Sequence, residues 1–251
     1  MITLKTTREL SLMRDAGRIA AQALQRVGEL VKPGITTYEL DRAAHQLITS
    51  CGAQPTFLNY NGFPASACIS VNDEVIHGIP SKKRVLRAGD IVSVDLGATY
   101  RGYVGDNAYT FSAGEISPEA KTLCDITWQA LLAGIAQAVP GNKVGDIGAA
   151  VQDICEAAGY SVVREYTGHG VGHKLHEDPS VPNYGTAGRG VTLRAGMTIA
   201  IEPMVNAGRS KINLLPDGWT VKTADGSLSA HMEHSIAITN NGPVILTNHE
   251  E

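Results

Sequence analysis

The 251-residue chain is 43% hydrophobic and 18% charged with a net charge of -4, a globular composition that argues against a nucleic-acid-coating protein. No run of about 18 apolar residues is present, which predicts no membrane span, and charges throughout the first residues leave no signal-peptide core. Cys51, Cys68, Cys124 and Cys155 are scattered without a C-x-x-C pair, which suits reduced thiols and a cytoplasmic location better than disulfides or a zinc cluster.

Thr6 and Glu9 form a capping box. Leu10, Met13, Gly17, Ala20, Leu24, Val27 and Val31 follow at helical spacing until Pro33-Gly34. Thr36 and Glu39 open a second helix that ends near Gly52. Both helices are expected only to pack. Phe57, Tyr60 and Phe63 then gather around Asn59, Asn61, Gly62 and Pro64, a loop composition able to line a pocket or merely to pack. Residues 67–71 read as a strand, Asn72-Asp73-Glu74 as its turn, and His77 lies in Val75-Ile76-His77-Gly78-Ile79-Pro80. A lone histidine there is more often structural than catalytic. Lys82, Lys83, Arg84 and Arg87 make a basic run, usually a solvated face.

Residues 86–110 are the organising stretch. After the turn Arg87-Ala88-Gly89-Asp90, the β-branched run Ile91-Val92-Ser93-Val94 ends in Asp95, and Asp106 follows a glycine-rich segment. This predicts a hairpin turning near Tyr100-Arg101-Gly102. A turn centred between Tyr100 and Arg101 sets Asp95 opposite Asp106. Two carboxylates so placed repel unless a shared proton or a divalent cation joins them. Two solvated carboxylates beside a turn fit this stretch equally well.

The second half repeats the signal. Leu193-Arg194-Ala195-Gly196 copies Leu86-Arg87-Ala88-Gly89 at an offset of 107 residues, as Pro140-Gly141 copies Pro33-Gly34 and Gly159 copies Gly52. Asp95 falls on Glu202, again ending an apolar β-run. One domain of two related halves follows, about 1–110 and 111–251, packed about a pseudo-twofold. Ser117-Pro118 opens a helix expected over 118–139, and a further helix over 144–158 follows. Tyr166 to His176 (YTGHGVGHKLH) holds His169, His173 and His176 among three glycines, so a metal ligand or acid/base is expected there beside at least one structural histidine. Residues 211–225, with Trp219, read as a hairpin excursion. The last predicted strand, 229–238, carries His231, Glu233 and Ser235 on one face.

Asp95, Asp106, Glu202, Glu233 and a loop histidine therefore form a candidate site. No lysine or arginine lies within two residues of Asp95, Glu202 or Glu233, so a salt-bridge network explains them poorly. Two divalent cations (Mn, Co, Fe or Zn) would neutralise them and can activate water for amide hydrolysis.

Val75-Ile76-His77-Gly78-Ile79-Pro80, Asp90-Ile91-Val92-Ser93-Val94-Asp95-Leu96-Gly97, Gly102-Tyr103-Val104-Gly105-Asp106, Thr167-Gly168-His169-Gly170-Val171-Gly172, Ile201-Glu202-Pro203 and His231-Met232-Glu233-His234-Ser235 resemble the type I methionine aminopeptidases, nearly throughout the chain. The resemblance implies the α+β pita-bread fold, with an antiparallel sheet and flanking helices. It also implies a short bacterial form without an N-terminal zinc-binding extension. It makes Asp95, Asp106, His169, Glu202 and Glu233 ligands of two divalent metals, with Asp106 and Glu233 bridging. Metal-activated water would attack the scissile carbonyl, and Glu202 would take and pass the proton. His176 would polarise the carbonyl oxygen or stabilise the tetrahedral oxyanion, and His77 would hold the scissile nitrogen through attack and departure. Phe57, Tyr60, Phe63, Cys68, Leu175 and Trp219 would line the methionine pocket. A monovalent cation would sit near Asn72, Glu74 and Ser229.

Phe57, Asn61 and Leu175 depart from the commonest bacterial pattern, where a small residue or Cys, His and Phe respectively are frequent. That affects side-chain preference rather than reaction type. The implied substrates are nascent peptides or proteins that start with Met and carry a small second residue. The implied protein is a monomer that acts on neither DNA nor membrane, and Lys82, Lys83 and Arg84 offer a transient ribosome contact. Two readings compete. An aminopeptidase acting before proline usually carries a further N-terminal domain, for which a helix starting near residue 6 leaves no room. A non-catalytic binding module of the same fold would lose metal ligands.

Overall fold

The structure, a computed structural model, describes residues 2–248. Both N-terminal capping boxes are present. Thr6 and Glu9 cap α1 (Thr7–Leu30), and Thr36 and Glu39 cap α2 (Thr37–Ser50). In the second half Ser117 caps α3 (Pro118–Ala136), and α4 (Val144–Ala157) follows. The third helix stops short of 139 because its last N–H groups turn back to Gly134 and Ile135 ahead of Pro140-Gly141.

The helices back a nine-stranded sheet. Its main path runs Gln54–Pro55, Ile91–Tyr100, Tyr103–Ser112, Glu233–Thr239, Thr198–Ile201, Gly168–Gly170 and Glu177–Val181. Ala67–Val71 pairs with Ile91–Tyr100, and Gly242–Ile245 with Glu233–Thr239. One core cluster lies between α1, α2 and the first hairpin, around Leu24, Leu40, Ile69 and Leu96. A second lies under α3 and α4, around Leu131, Ile147, Ile199 and Ile236.

The hairpin register differs from expectation. Tyr100 pairs with Tyr103, so the turn is the two residues Arg101-Gly102, both at positive φ (49° and 82°). That is the backbone of a turn whose twist matches the strands. Asp95 therefore faces Ala108, and Asp106 faces Gly97. The two carboxylates are diagonal neighbours on one face, since side chains two apart point the same way. The expected final strand is also divided. Ser229–His231 pairs with Met204–Asn206, the ladder breaks at Met232, and Glu233–Thr239 enters the large sheet.

Hydrogen bonds recur at the spacing of 107. The Gly34 N–H donates to the Leu86 carbonyl, and the Gly141 N–H to the Leu193 carbonyl. Thr36 bridges to Val85, and Lys143 to Thr192. Gly34, Gly141, Gly89 and Gly196 all sit at φ of 93–95°, which only glycine adopts readily.

Candidate metal centre and its pocket

The strands bring four carboxylates to one face of the sheet. Glu233 pairs with Ala108, itself opposite Asp95, so three adjacent strands place Asp95, Ala108 and Glu233 in a row. His234 pairs with Ile201, which sets Glu202 beside Glu233 at the next position. Asp106 lies two residues along from Ala108, and its N–H is held by the Ser235 hydroxyl. Asp106 is 3% exposed and Glu233 2%, and Asp95 Oδ1, Asp106 Oδ1 and Glu233 Oε1 are buried without a hydrogen-bond partner. Such atoms are costly to leave unsatisfied. Among the described residues no lysine or arginine forms an ion pair with these four carboxylates. Burial pushes all four up, Asp95 to about 8, and mutual repulsion adds to it for Asp106, Glu202 and Glu233.

His169 completes the group, on the strand Gly168–Gly170. Its Nδ1 lies 2.9 Å from the Gly170 carbonyl, an acceptor only, so Nδ1 carries the proton and Nε2 presents its lone pair. Burial, then His176, lowers this ring to about 4. Nε2 stands 3.3 Å from Glu202 Oε1 and 3.7 Å from Asp106 Oδ2. A lone pair facing carboxylate oxygens calls for a cation between them. One ligand atom each from Asp106, His169 and Glu233 lies within 4.8 Å of the others. The donor set, imidazole plus carboxylate, fits a divalent transition metal.

A cavity of about 300 Å³ opens on this cluster. Every residue expected to bind metal, act chemically or hold the substrate side chain lines it: Asp95, Asp106, His169, Glu202, Glu233, His77, His176, Phe57, Tyr60, Phe63, Cys68, Leu175 and Trp219. Asn61, Ile76, Tyr166 and Thr167 line it too. Phe57, Phe63, Cys68 and Leu175 are buried, and Trp219 meets Phe63 edge-on at 5.2 Å. Burial, then Asp95 across the strand pair, holds the Cys68 thiol protonated. A larger open groove of about 690 Å³ beside Tyr184 and Arg189 has no histidine in its lining.

His176 Nδ1 is 2.7 Å from the Tyr60 hydroxyl, and its ring packs edge-on against His169. Burial lowers its pKa. His77 adopts φ 59°, rare for a side-chain-bearing residue. Its neighbour Gly78 packs so closely on the Ala67–Val71 strand that an added Cβ would lie 2.3 Å from the Ile69 carbonyl oxygen. The His77 ring meets Tyr166 at 5.6 Å and is lowered to about 4 by burial, then by His176. Elsewhere, Ser229 N–H donates to the Asn72 carbonyl, and Glu74 accepts from Val71 N–H. Lys82, Lys83 and Arg84 are exposed, with Lys82 over the Tyr38 ring.

Sequence reasoning gave no role to Tyr166 and Thr167, which open the glycine-rich stretch, nor to His231. His231 is 1% exposed and sits behind Glu202, its Nε2 3.8 Å from Glu202 Oε2.

The profile of metallopeptidase family M24 matches residues 11–240. A methionine aminopeptidase of Clostridium perfringens (strain 13 / Type A) is 53% identical over 98% of this chain and 99% of its own length. The crystal structure of methionine aminopeptidase from Rickettsia prowazekii superposes with a TM-score of 0.97 at 45% identity, covering 99% of this chain and all of that one. The prolidase from Pyrococcus furiosus gives a TM-score of 0.78 at 25% identity, covering 99% of this chain but 66% of that one.

Proposed function

The chain belongs to metallopeptidase family M24 and has its pita-bread fold, and from that premise we propose that it is a metal-dependent aminopeptidase removing N-terminal methionine from peptides and nascent proteins. The observation that carries this is the cluster of four carboxylates, without a lysine or arginine partner among the described residues, and a lone-pair-presenting His169 at the floor of the cavity. Relatives named methionine aminopeptidase, 45–53% identical along nearly the whole chain, support the choice over a proline-directed enzyme.

Asp95, Asp106, His169, Glu202 and Glu233 would hold two divalent ions. Bound there, the ions supply Lewis acidity and a lowered water pKa. Glu202 takes the proton of the attacking water and passes it to the leaving amine. With the Tyr60 hydroxyl, 2.7 Å from His176 Nδ1, as the donor of that bond, the ring's N–H is on Nε2, where it stabilises charge growing on the carbonyl oxygen. His77 holds the scissile nitrogen. Phe57, Phe63, Cys68, Leu175 and Trp219 exclude water around the thioether, which an apolar pocket suits. A small second residue, a monovalent cation by Asn72, Glu74 and Ser229, and a monomeric cytoplasmic protein belong to the same proposal. So does a transient ribosome contact through Lys82, Lys83 and Arg84; a triple-alanine variant that still bound ribosomes normally would remove that contact.

The deciding experiment strips the protein with chelator and restores Mn, Co, Fe(II) or Zn separately. Cleavage is followed by mass spectrometry on Met-Ala-Ser, its N-acetylated form, Leu-Ala-Ser and Arg-Pro-Pro. Metal-restored loss of Met from the free-amine peptide alone is expected, with the metals thereby ranked. Cleavage before proline would move the assignment to that specificity, and no cleavage by folded, metal-loaded protein would overturn enzymatic function.

A further inference from the structure

Behind the cavity wall, His231 has no assigned task, yet its surroundings are demanding. Its main chain is fully engaged: its N–H donates to the Thr110 hydroxyl, and that hydroxyl donates back to its carbonyl. Its ring is sealed from solvent, and neither Nδ1 nor Nε2 has a hydrogen-bond partner. Buried imidazoles are rarely left so. Nε2 points at Glu202 Oε2 from 3.8 Å, while Glu202 Oε1 faces His169 Nε2 from 3.3 Å on the other side. The Glu202 carboxylate therefore stands between two rings, one lining the cavity and one outside it.

The internal repeat gives this placement a second basis. The Ala113 N–H donates to the Asp90 carbonyl, and the Ile238 N–H to the Met197 carbonyl. These bonds align the returning strands of the two halves and set His231 at the place Asp106 holds in the first. The position is thus one from which a side chain reaches toward the cluster.

We infer that His231 is a positioning residue for the reaction: its Nε2–H donates to Glu202 Oε2, fixes the plane of that carboxylate and leaves Oε1 directed at the cavity. A small rotation of the carboxylate closes the 3.8 Å approach to a hydrogen bond. Outer partners of this kind typically change metal affinity or activity by about 10–100-fold when removed. The assignment rests on the role proposed for Glu202.

The test compares wild type with His231→Gln, which keeps an N–H, and with His231→Leu and His231→Met, which do not. Readouts are kcat and KM on Met-Ala-Ser and the visible spectrum of the Co(II)-loaded protein. Expected is a fall in kcat of about 10–100-fold for Leu and Met, with KM within about threefold and an altered Co(II) spectrum, and substantial recovery for Gln. Wild-type values in the Leu variant, or equal impairment in Gln, would overturn the inference. Side-chain 1H–15N spectra of wild type, with Glu202→Ala as control, give an answer even if the apolar variants fail to fold. A slowly exchanging His231 Nε2–H that is lost in Glu202→Ala supports the bond, and a ring protonated on Nδ1 alone overturns it. Wild-type protein that bound no Co(II) or left the peptide intact would instead overturn the proposed function, while the same spectra still decide the His231–Glu202 contact.

Discussion

The two halves reach the cavity by different routes. In the first, Asp95 and Asp106 come from strands joined by the two-residue turn Arg101-Gly102. In the second, Glu202 and Glu233 come from strands whose connection leaves the sheet, carries Trp219 on a hairpin and returns through His231. Both routes place a pair of acids on one sheet face. Only the second half supplies His169 and His176, and its long connection supplies an aromatic wall of the pocket. Paired strands build the carboxylate cradle, and the Trp219 wall of the pocket comes from chain that leaves the sheet.

The sharpest way to break this contrast is to remove Glu202, the proposed base of the second half. Glu202→Ala is expected to lower kcat/KM on a Met-Ala-Ser peptide by about 10³-fold or more, and near-normal turnover would show that the base lies elsewhere. His176→Ala, measured by the same kinetics, should cost about 10²-fold, mainly in kcat, because its N–H is needed chiefly when charge grows on the carbonyl oxygen. A loss confined to KM would assign it to substrate binding instead.

The first half is expected to be sensitive in stability rather than chemistry. A Cβ at Gly105 would lie 2.4 Å from the backbone of Gly17 in α1. Gly105→Ala should therefore destabilise by about 3 kcal/mol, read from urea midpoints, and an unchanged midpoint would mean that helix and hairpin can part.

A further effect depends on pH and metal together. Asp95, Asp106, Glu202 and Glu233 have raised pKa values, so the folded metal-free protein keeps protons that the unfolded chain releases near 3.8–4.5. That stabilisation is complete below those values and is lost as pH rises through about 8, where Asp95 ionises. His77, His169 and His231, lowered to about 4, 4 and 3, slope the other way, but only below their ordinary 6.5. Between pH 6.5 and 8 the stripped protein should lose about 1.4 kcal/mol per pH unit for each proton retained. Added divalent metal should stabilise more strongly across the same window, because it displaces those protons. Calorimetry of stripped and loaded protein checks both slopes, and stripped protein that gained stability over this range would contradict them.

Much of this was legible beforehand where local chemistry decides. Capping boxes at Thr6/Glu9 and Thr36/Glu39 are written in neighbouring residues, and an acid ending a β-branched run announces itself at Asp95 and Glu202. The hairpin register was not legible, because it turns on Arg101 taking a positive φ that an arginine does not advertise. Nor was the break at Met232, which follows from two sheets competing for one stretch of chain. The alignment of Glu233 with Ala108 is a long-range pairing with no local signature. The relation of His231 to Glu202 exists only once those strands meet.

The contact between Gly17 and Gly105 has one more consequence. Asp106 follows Gly105 directly, so the wall behind this carboxylate is backbone against backbone, with no side-chain layer to yield. The opposite side of the centre is built the same way: His169 lies on the strand Gly168–Gly170, and a Cβ added at Gly168 or Gly170 would run into the carbonyl oxygens of Ala200 and Asp178. Main chain therefore backs the cluster from both sides. The spacing between Asp106 and His169 is set by the packing of strands and helix rather than by side chains that could give way.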